Sequence, residues 1–442
     1  MKATLLISFI LAAAMPACAQ VAPSASGTKS NSQMMTPPPV NVSGYSSMVS
    51  SDVHSNYLSG AVREDTAYIS NFYAGSANPS IAETTIAVYP SINLDTTTTK
   101  DHFLVSYSPG FTFYTPSNGL NEVDQVATLA MEHRFAPHIV VDGTDEFQDS
   151  SNPFDLANAA STGVISGTQQ PTTPGATPAF ARRLSNSANA GLSVQPWMNF
   201  MFGISGLSVV LHYPNPSLAV GLFDSSSLAG TGFLSRRISA AQYFGAAYQY
   251  SETWAYPYGS TSETEVQTVT GFYTLYWRSK LSLSLAAGPQ FYHTNQVIGR
   301  TAGTAWDPSI TASAGWQGTR TNLAANFSQS VTGGGGLLGA YRSRNAGAET
   351  RWRISRFWTT SAYAGYSINR SVSQVLSLVS QNGHSVSGSA ALERSIGQHL
   401  TLHFEYERLH QSYDNIQAIS SNPDSDRASA SISWHFTKPL SR

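Results

Sequence analysis

Apolar side chains recur at every second position along most of this chain, from Leu58 onwards. In residues 281–292 one face carries Leu281, Leu283 and Leu285, and the other carries Ser282 and Ser284. Alternation with a period of two is typical of β-strands that have one apolar and one polar face. The same separation recurs in residues 309–316, 358–368, 400–407 and 428–436. The pattern therefore predicts an all-β protein.

The length of the alternating segments separates two kinds of β-protein. Strands of soluble sandwiches usually have about 5 to 6 residues, whereas a tilted strand needs about 9 to 11 residues to cross a bilayer. The segments here are of the longer kind, and their polar faces are rich in Ser, Thr, Gly and Asn. Tight connections, such as 134–138 and 278–280, alternate with long ones, such as 150–183 and 371–383. Short turns at one end and long loops at the other are typical of membrane-spanning barrels.

Counting the segments predicts the architecture. The chain accommodates about eighteen strands between residues 58 and 437, with sixteen as the alternative. An even number of strands places both termini at the end with the tight turns, which is periplasmic in outer-membrane proteins. We therefore predict a transmembrane, antiparallel, up-and-down β-barrel over 58–437, followed by a short tail over 438–442.

Residues 1–19 have the features of a secretory signal peptide. Lys2 is followed by an apolar stretch over residues 3–14, and Ala17 and Ala19 form a small-x-small cleavage site. Cys18 leaves lipidation open, although the Leu that usually lies three residues before a lipidated Cys is absent. Residues 20–57 are rich in Ser, Pro and Thr and are predicted as a flexible periplasmic lead.

Composition removes several classes of function. Only 11% of the residues are charged and the net charge is −2, which excludes long salt-bridged helices and offers no basic surface for a nucleic acid. Cys18 is the only cysteine, so disulfides and Cys-bound metals are not expected. Because no spacing of His, Asp and Glu resembles a metal site, we predict neither a metal nor another cofactor.

Segment 429–436 alternates and ends on an aromatic residue, Phe436. It resembles the closing strand by which the outer-membrane assembly machinery recognises barrel proteins, although residues 437–442 follow it here. Residues 93–95, 107–114, 212–216 and 333–336 look like stretches of uncharacterised, porin-sized outer-membrane proteins of Gram-negative bacteria. The resemblance implies a barrel in the bacterial outer membrane, with membrane lipid and the assembly machinery as partners. It implies no substrate and no catalytic residue.

The longest connection, 150–183, is the third long loop in this count. In general porins that loop folds into the lumen, so the resemblance implies a similar constriction here. An ordinary surface loop is the alternative, because residues 169–178 are rich in Pro and Thr.

Charged residues on the polar faces are the candidate lumen residues, because a charge that faces lipid is costly. They are Glu349, Arg351 and Arg353 on one segment, His403, Glu405 and Glu407 on another, and Asp142 and Glu146 on a third, beside Glu132 and Arg134. Such charges would orient dipolar solutes in a pore, or they would form salt bridges that hold the wall. Their mixed signs predict no strong ion selectivity.

Catalysis finds little support in the sequence. His403 with Glu405 is the best pair for general acid–base chemistry, but alternating polar faces produce such pairs readily, and we predict that the protein is not an enzyme. A porin-like channel for passive diffusion of small solutes is the favoured function. The alternatives are an export-pathway channel for envelope polysaccharide and a structural or adhesive surface barrel.

Overall fold

The computed structural model describes residues 56–71, 82–115, 121–151, 181–217, 219, 221–239, 241–257, 261–277, 280–296, 301–333, 337, 339–372, 382–416 and 424–440. The predicted signal peptide, the predicted lead and most of the connection 150–183 lie outside these residues. Within the described ranges, no helix is long and apolar enough to span a membrane.

The described residues form eighteen strands. They are β1 (Tyr57–Ile69), β2 (Glu83–Thr97), β3 (Asp101–Thr115), β4 (Glu122–Ala136), β5 (Ile139–Ser150), β6 (Arg183–Trp197), β7 (Phe200–His212), β8 (Ser225–Ser239), β9 (Gln242–Ala255), β10 (Ser262–Trp277), β11 (Leu281–Gln296), β12 (Thr301–Gln317), β13 (Thr321–Gly333), β14 (Ala340–Arg353), β15 (Trp358–Ser371), β16 (Gly383–Ile396), β17 (Leu400–Tyr413) and β18 (Asp424–Pro439).

Antiparallel pairing closes the sheet into a barrel. Each strand pairs with its neighbours in the sequence, and β1 also pairs with β18 from Tyr57 opposite Pro439 to Ile69 opposite Arg427. The predicted all-β, up-and-down barrel and its count of eighteen strands are confirmed, and the alternative of sixteen is excluded. The barrel runs slightly beyond the predicted 58–437, because Lys438 and Pro439 belong to β18 rather than to a tail.

The two ends of the barrel differ in their connections. Tight turns join the strands at one end, which we call the turn end; for example, the Thr98 amide donates to the Asp101 carbonyl at 2.8 Å between β2 and β3. The long connections lie at the other end, which we call the loop end. Both ends of the described chain lie at the turn end, where the Leu440 amide donates to the Asn56 carbonyl at 2.9 Å.

The outward face carries an apolar band. On β11, Leu283 and Leu285 are 40% and 53% exposed, while Ser282 and Ala286 are buried. The convex side of a single closed sheet has nothing packed on it, so exposed apolar residues mark the outside. Exposed aromatic residues lie near the turn end (Trp277, Trp316, Trp352, Trp434) and near the loop end (Tyr68, Phe113, Trp306). Two aromatic girdles around an apolar band are the surface of a membrane barrel.

The two faces of β11 allow a direct stability test. Leu285 pairs with Ala312, which lies between Trp306 and Trp316 on β12, and therefore sits near the middle of the apolar band. We expect Leu285→Arg to lower the free energy of unfolding by about 2–4 kcal/mol in lipid vesicles. Ser284→Arg on the inward face is the control and should cost much less. Equal costs for the two variants would contradict this assignment of the faces.

Candidate functional site: the barrel lumen and its loop end

The inward face collects most of the polar side chains of the strands. Strand register and alternation place the predicted residues on this face: Asp142 and Glu146 on β5, Glu349, Arg351 and Arg353 on β14, and His403, Glu405 and Glu407 on β17. Glu132 and Arg134 lie inward on β4. The structure does not bring the three groups together at one point, because β5, β14 and β17 occupy different parts of the wall.

Some of these side chains form ion pairs along the wall. Arg351 Nη2 lies 4.0 Å from Glu393 Oε2 on the neighbouring part of the wall, and Arg134 Nη2 lies 3.4 Å from Glu132 Oε1. Glu407 belongs to a buried triad, in which Arg427 donates to Glu407 Oε2 at 2.6 Å and to Asp65 Oδ2 at 2.5 Å. The triad joins β17, β18 and β1, the strands at which the barrel closes.

Acidic side chains concentrate on one side of the inner wall. The strands from β16 through β18 and from β1 to β5 form one continuous stretch of the closed sheet. We call its inward carboxylates the acidic arc: Asp65, Glu83, Asp95, Glu122, Asp124, Glu132, Asp142, Glu146, Glu393, Glu405 and Glu407. Arg63, Arg134 and Arg427 are the arginines that face inward on the same strands.

The opposite side of the wall is nearly neutral. Inward positions of β7 to β13 carry mainly Ser, Thr, Gly, Ala and aromatic residues within the described part of these strands. Asp307 on β12 is the acidic residue among them, and Arg342 donates to it. One side of the lumen wall is therefore acidic and the other is nearly neutral. The eight predicted residues alone did not indicate this asymmetry.

The pairing of β12 with β13 stops halfway along the strands. The last pair is Ile310 opposite Gln329, although β12 continues to Thr301 and pairs there with β11. In a continued ladder, Pro308 would face Val331. Proline has no amide hydrogen to donate, and the Pro308 carbonyl accepts instead from the Gln329 side-chain amide at 3.3 Å. The β12–β13 ladder therefore ends at Pro308, which has no backbone N–H to donate to β13.

Beyond this point the hairpin of β13 and β14 turns into the lumen. Val331 bonds to a side chain of β11: its amide donates to Gln290 Oε1 at 2.6 Å, and its carbonyl accepts from Gln290 Nε2 at 3.0 Å. The primary amide of Gln290 thus supplies both the donor and the acceptor that a neighbouring strand would have supplied. Gln290 is 4% exposed, so these bonds are shielded from water.

Packing against the inner wall completes this contact. Val331 lies in one buried cluster with Val266 of β10 and Tyr292 of β11. Gly333 lies so close to β9 that an added Cβ would be 2.3 Å from the Thr253 Cβ. Val331 to Gly333 are therefore the inward-turned end of β13.

An apolar cluster spans the loop end. It consists of Ala181, Leu211, Tyr213, Ala219, Leu222, Leu337, Tyr341, Tyr413 and Ile416, and we call it the mouth cluster. These residues come from the ends of β7, β14 and β17, from the connections beside them and from the connection before β6, which lie on separated parts of the rim. Burial raises the pKa of the Tyr213 hydroxyl, and the nearby Arg183 acts in the opposite direction. The cluster therefore bridges the rim over the lumen.

The predicted constriction by 150–183 falls mostly outside the described residues, but both of its ends are anchored. The Ser151 amide donates to Asp124 Oδ1 at 3.3 Å, and Ser151 Oγ donates to Glu122. At the other end, Arg182 Nε donates to Asp149 Oδ1 at 2.7 Å. The constriction by this loop stays a prediction.

Three carboxylates meet on the outward face near the loop end. Glu252 of β9 and Glu263 and Glu265 of β10 place their oxygens within 4.8 Å of one another. Sequence spacing did not indicate this group, because cross-strand pairing brings Glu252 opposite Glu265. Exposed acidic groups are common without a metal, and the arrangement alone assigns no ion.

Comparison with known proteins yields general likeness only. No protein-family model and no curated protein matches the chain. OpdK of Pseudomonas aeruginosa, solved with vanillate, is 8% identical, with 86% of this chain and 99% of OpdK covered and a TM-score of 0.40. The apoprotein form of the FrpB iron transporter of Neisseria meningitidis is 7% identical, with 86% and 81% covered and a TM-score of 0.43.

The unliganded ferric citrate transporter FecA is 12% identical over 82% of this chain, with a TM-score of 0.40. This chain spans 61% of the length of that transporter. Because these sequence identities and TM-scores are low, the fold assignment rests on the strand pairing described above. That pairing fits the porin-sized barrel that the sequence resembles.

Proposed function

We propose that the protein is an outer-membrane channel for passive diffusion of small polar solutes, with the loop end outside the cell and both termini in the periplasm. The observation that carries this proposal is a closed barrel of eighteen strands with an apolar outer face and a polar inner face. Barrels of about 16 to 18 strands are wide enough for an aqueous passage. Cell fractionation should recover the chain with outer membranes, and recovery as a soluble periplasmic protein would contradict the proposal.

The acidic arc supports a preference for cationic solutes. Carboxylates that line one side of a low-dielectric passage raise the local concentration of cations and exclude anions. The facing wall offers hydroxyl groups, which suit hydrogen-bonding solutes. We therefore propose small cations and cationic polar molecules as the solute class.

Selectivity can be tested by the reversal potential of the purified protein in planar bilayers under a KCl gradient. We expect a cation preference in the native chain. A triple variant, Glu132→Gln with Asp142→Asn and Glu146→Gln, removes three carboxylates that face inward on β4 and β5. It should lower the ratio of cation to anion permeability severalfold. Asp145→Asn, on the outward face of β5, is the matched control. An anion preference, or an equal effect of the control, would overturn this proposal.

The mouth cluster favours a second candidate, a structural or adhesive barrel that stays closed. It bridges the rim with apolar contacts, whereas an open porin needs a wet entrance. Absence of conductance in the native chain and in the variants Gln290→Leu and Pro308→Val, which release the inward hairpin, would favour this candidate. That the barrel is not an enzyme stays a prediction, and none of the contacts described above favours a polysaccharide-export channel.

A further inference from the structure

Two arginines face outward near the loop end, on neighbouring strands. Arg344 lies on β14 eight positions from Trp352, and Arg370 lies on β15 twelve positions from Trp358. At about 3.3 Å per residue and a strand tilt of ~40°, these separations correspond to heights of about 20 and 30 Å above the turn-end aromatic residues. An apolar band is about 25 Å tall, so the two guanidinium groups lie on either side of its upper boundary.

The neighbours of Arg344 hold it in place. Gln329, which is 9% exposed, donates to the Pro308 carbonyl and accepts from Arg344 Nε at 2.8 Å. This bond uses one edge of the guanidinium and leaves its NH₂ groups for a ligand. The end of the β12–β13 ladder thus positions an arginine at the membrane surface.

The described residues offer neither arginine an ion pair. Arg344 faces Ile368 across the strands, and Arg370 faces Arg342, whose guanidinium turns to Asp307. Among the described residues, no carboxylate lies within ion-pair distance of Arg344 or Arg370. Diagonal neighbours on paired strands are about 7–8 Å apart, so two long side chains can reach one anion.

We propose that Arg344 and Arg370 bind a phosphate group of a phosphorylated glycolipid in the outer leaflet. The proposal rests on the outer-membrane location proposed above. Bidentate arginine contacts match phosphate geometry, and the height of the pair matches the headgroup layer. The carboxylate group of Glu252, Glu263 and Glu265 lies on another part of the wall, and the outward carboxylates Asp424 and Asp426 of β18 already pair with Arg408, so the outer surface favours an anionic lipid on the β14–β15 side.

Titration of the purified barrel in detergent with bisphosphorylated lipid A, followed by native mass spectrometry, tests this site. The variant Arg344→Gln with Arg370→Gln should bind about tenfold more weakly, because it loses two charge-assisted contacts. Arg236→Gln with Arg394→Gln, which removes two outward arginines at the turn end, should leave the affinity unchanged. The shift in mobility between heated and unheated samples on gels shows that each variant is folded.

Dephosphorylated lipid A and inorganic phosphate are the two further ligands to be tested in the same titration. The native chain should bind the dephosphorylated lipid as weakly as the double variant does. If both double variants weakened lipid binding equally, the proposal would be overturned. Competition by inorganic phosphate at the same concentration as the lipid would also overturn it, because this would indicate a site for free phosphate. Location is tested separately by fractionation, since the affinity measured in detergent does not depend on it.

Discussion

Gln290→Leu should raise the single-channel conductance of the barrel, because it releases the inward hairpin of β13 and β14. The variant keeps a side chain of similar size but removes both bonds to the Val331 backbone. A buried amide or carbonyl that loses its partner costs about 1–3 kcal/mol. A total loss of ~3 kcal/mol changes the ratio of inward to released hairpins by about a hundredfold.

A change on the neighbouring strand should act in the same direction. Pro308→Val restores an amide donor opposite Val331, which offers the hairpin a place in the wall. Pro289→Val is the control, because Pro289 pairs with Pro308 across β11 and β12. Since the Pro308 carbonyl points towards β13, the alternation of antiparallel bonding directs the Pro289 backbone towards β10. The control therefore adds a donor that the hairpin cannot reach.

Conductance in planar bilayers measures both effects. Gln290→Leu and Pro308→Val should each increase it, and Pro289→Val should not. If the first two variants conduct like the native chain, the hairpin does not limit the passage, and the mouth cluster or residues 150–183 would have to do so. Unfolding curves of all three variants would reveal a general loss of structure.

The barrel itself could be predicted because its signal is local. A period of two over ten or more residues depends only on which face of a strand meets lipid, so segments such as 281–292 and 400–407 identified their strands and faces. Even Tyr57–Ile69, whose pattern is weak, followed from the need for an even count, and its pairing with β18 closes the barrel.

The inward hairpin could not be predicted, because its contacts join strands that are not neighbours. Gln290 lies on the polar face of β11 like many wall residues, and nothing in the sequence links it to Val331, 41 positions away. Pro308 carried a usable signal, since proline inside a strand often marks the end of a ladder. The direction in which β13 then bends depends on the space inside the barrel, which no local pattern encodes.

The charge of the lumen was only partly predictable for a similar reason. The eight candidate lumen residues, of mixed sign, predicted no strong ion selectivity, but Glu83, Glu122 and Asp124 lie at strand ends, where the alternation is hard to read. Only the closed order of the strands shows that β16 to β18 adjoin β1 to β5. That adjacency turns scattered carboxylates into one arc.

The largest loss of stability is expected for Arg427→Leu, at the seam where β18 meets β1. The side chains of Asp65 and Glu407 are each 4% exposed, and Arg427 is their shared partner. Removing one partner of a buried ion pair costs about 3–5 kcal/mol, because the remaining charge stays out of water. Here two carboxylates would remain, and they would repel each other across the closing strands.

Urea unfolding in lipid vesicles, followed by tryptophan fluorescence, measures this loss. Arg408→Gln is the control: it removes an arginine on the outward face of β17 that pairs with Asp424 and Asp426 of β18, and it should cost at most about 1 kcal/mol. Adding Asp65→Asn and Glu407→Gln to Arg427→Leu should restore much of the stability, because the two buried carboxylate charges are then gone. If the triple variant is as unstable as the single one, Arg427 stabilises the seam by packing rather than by charge.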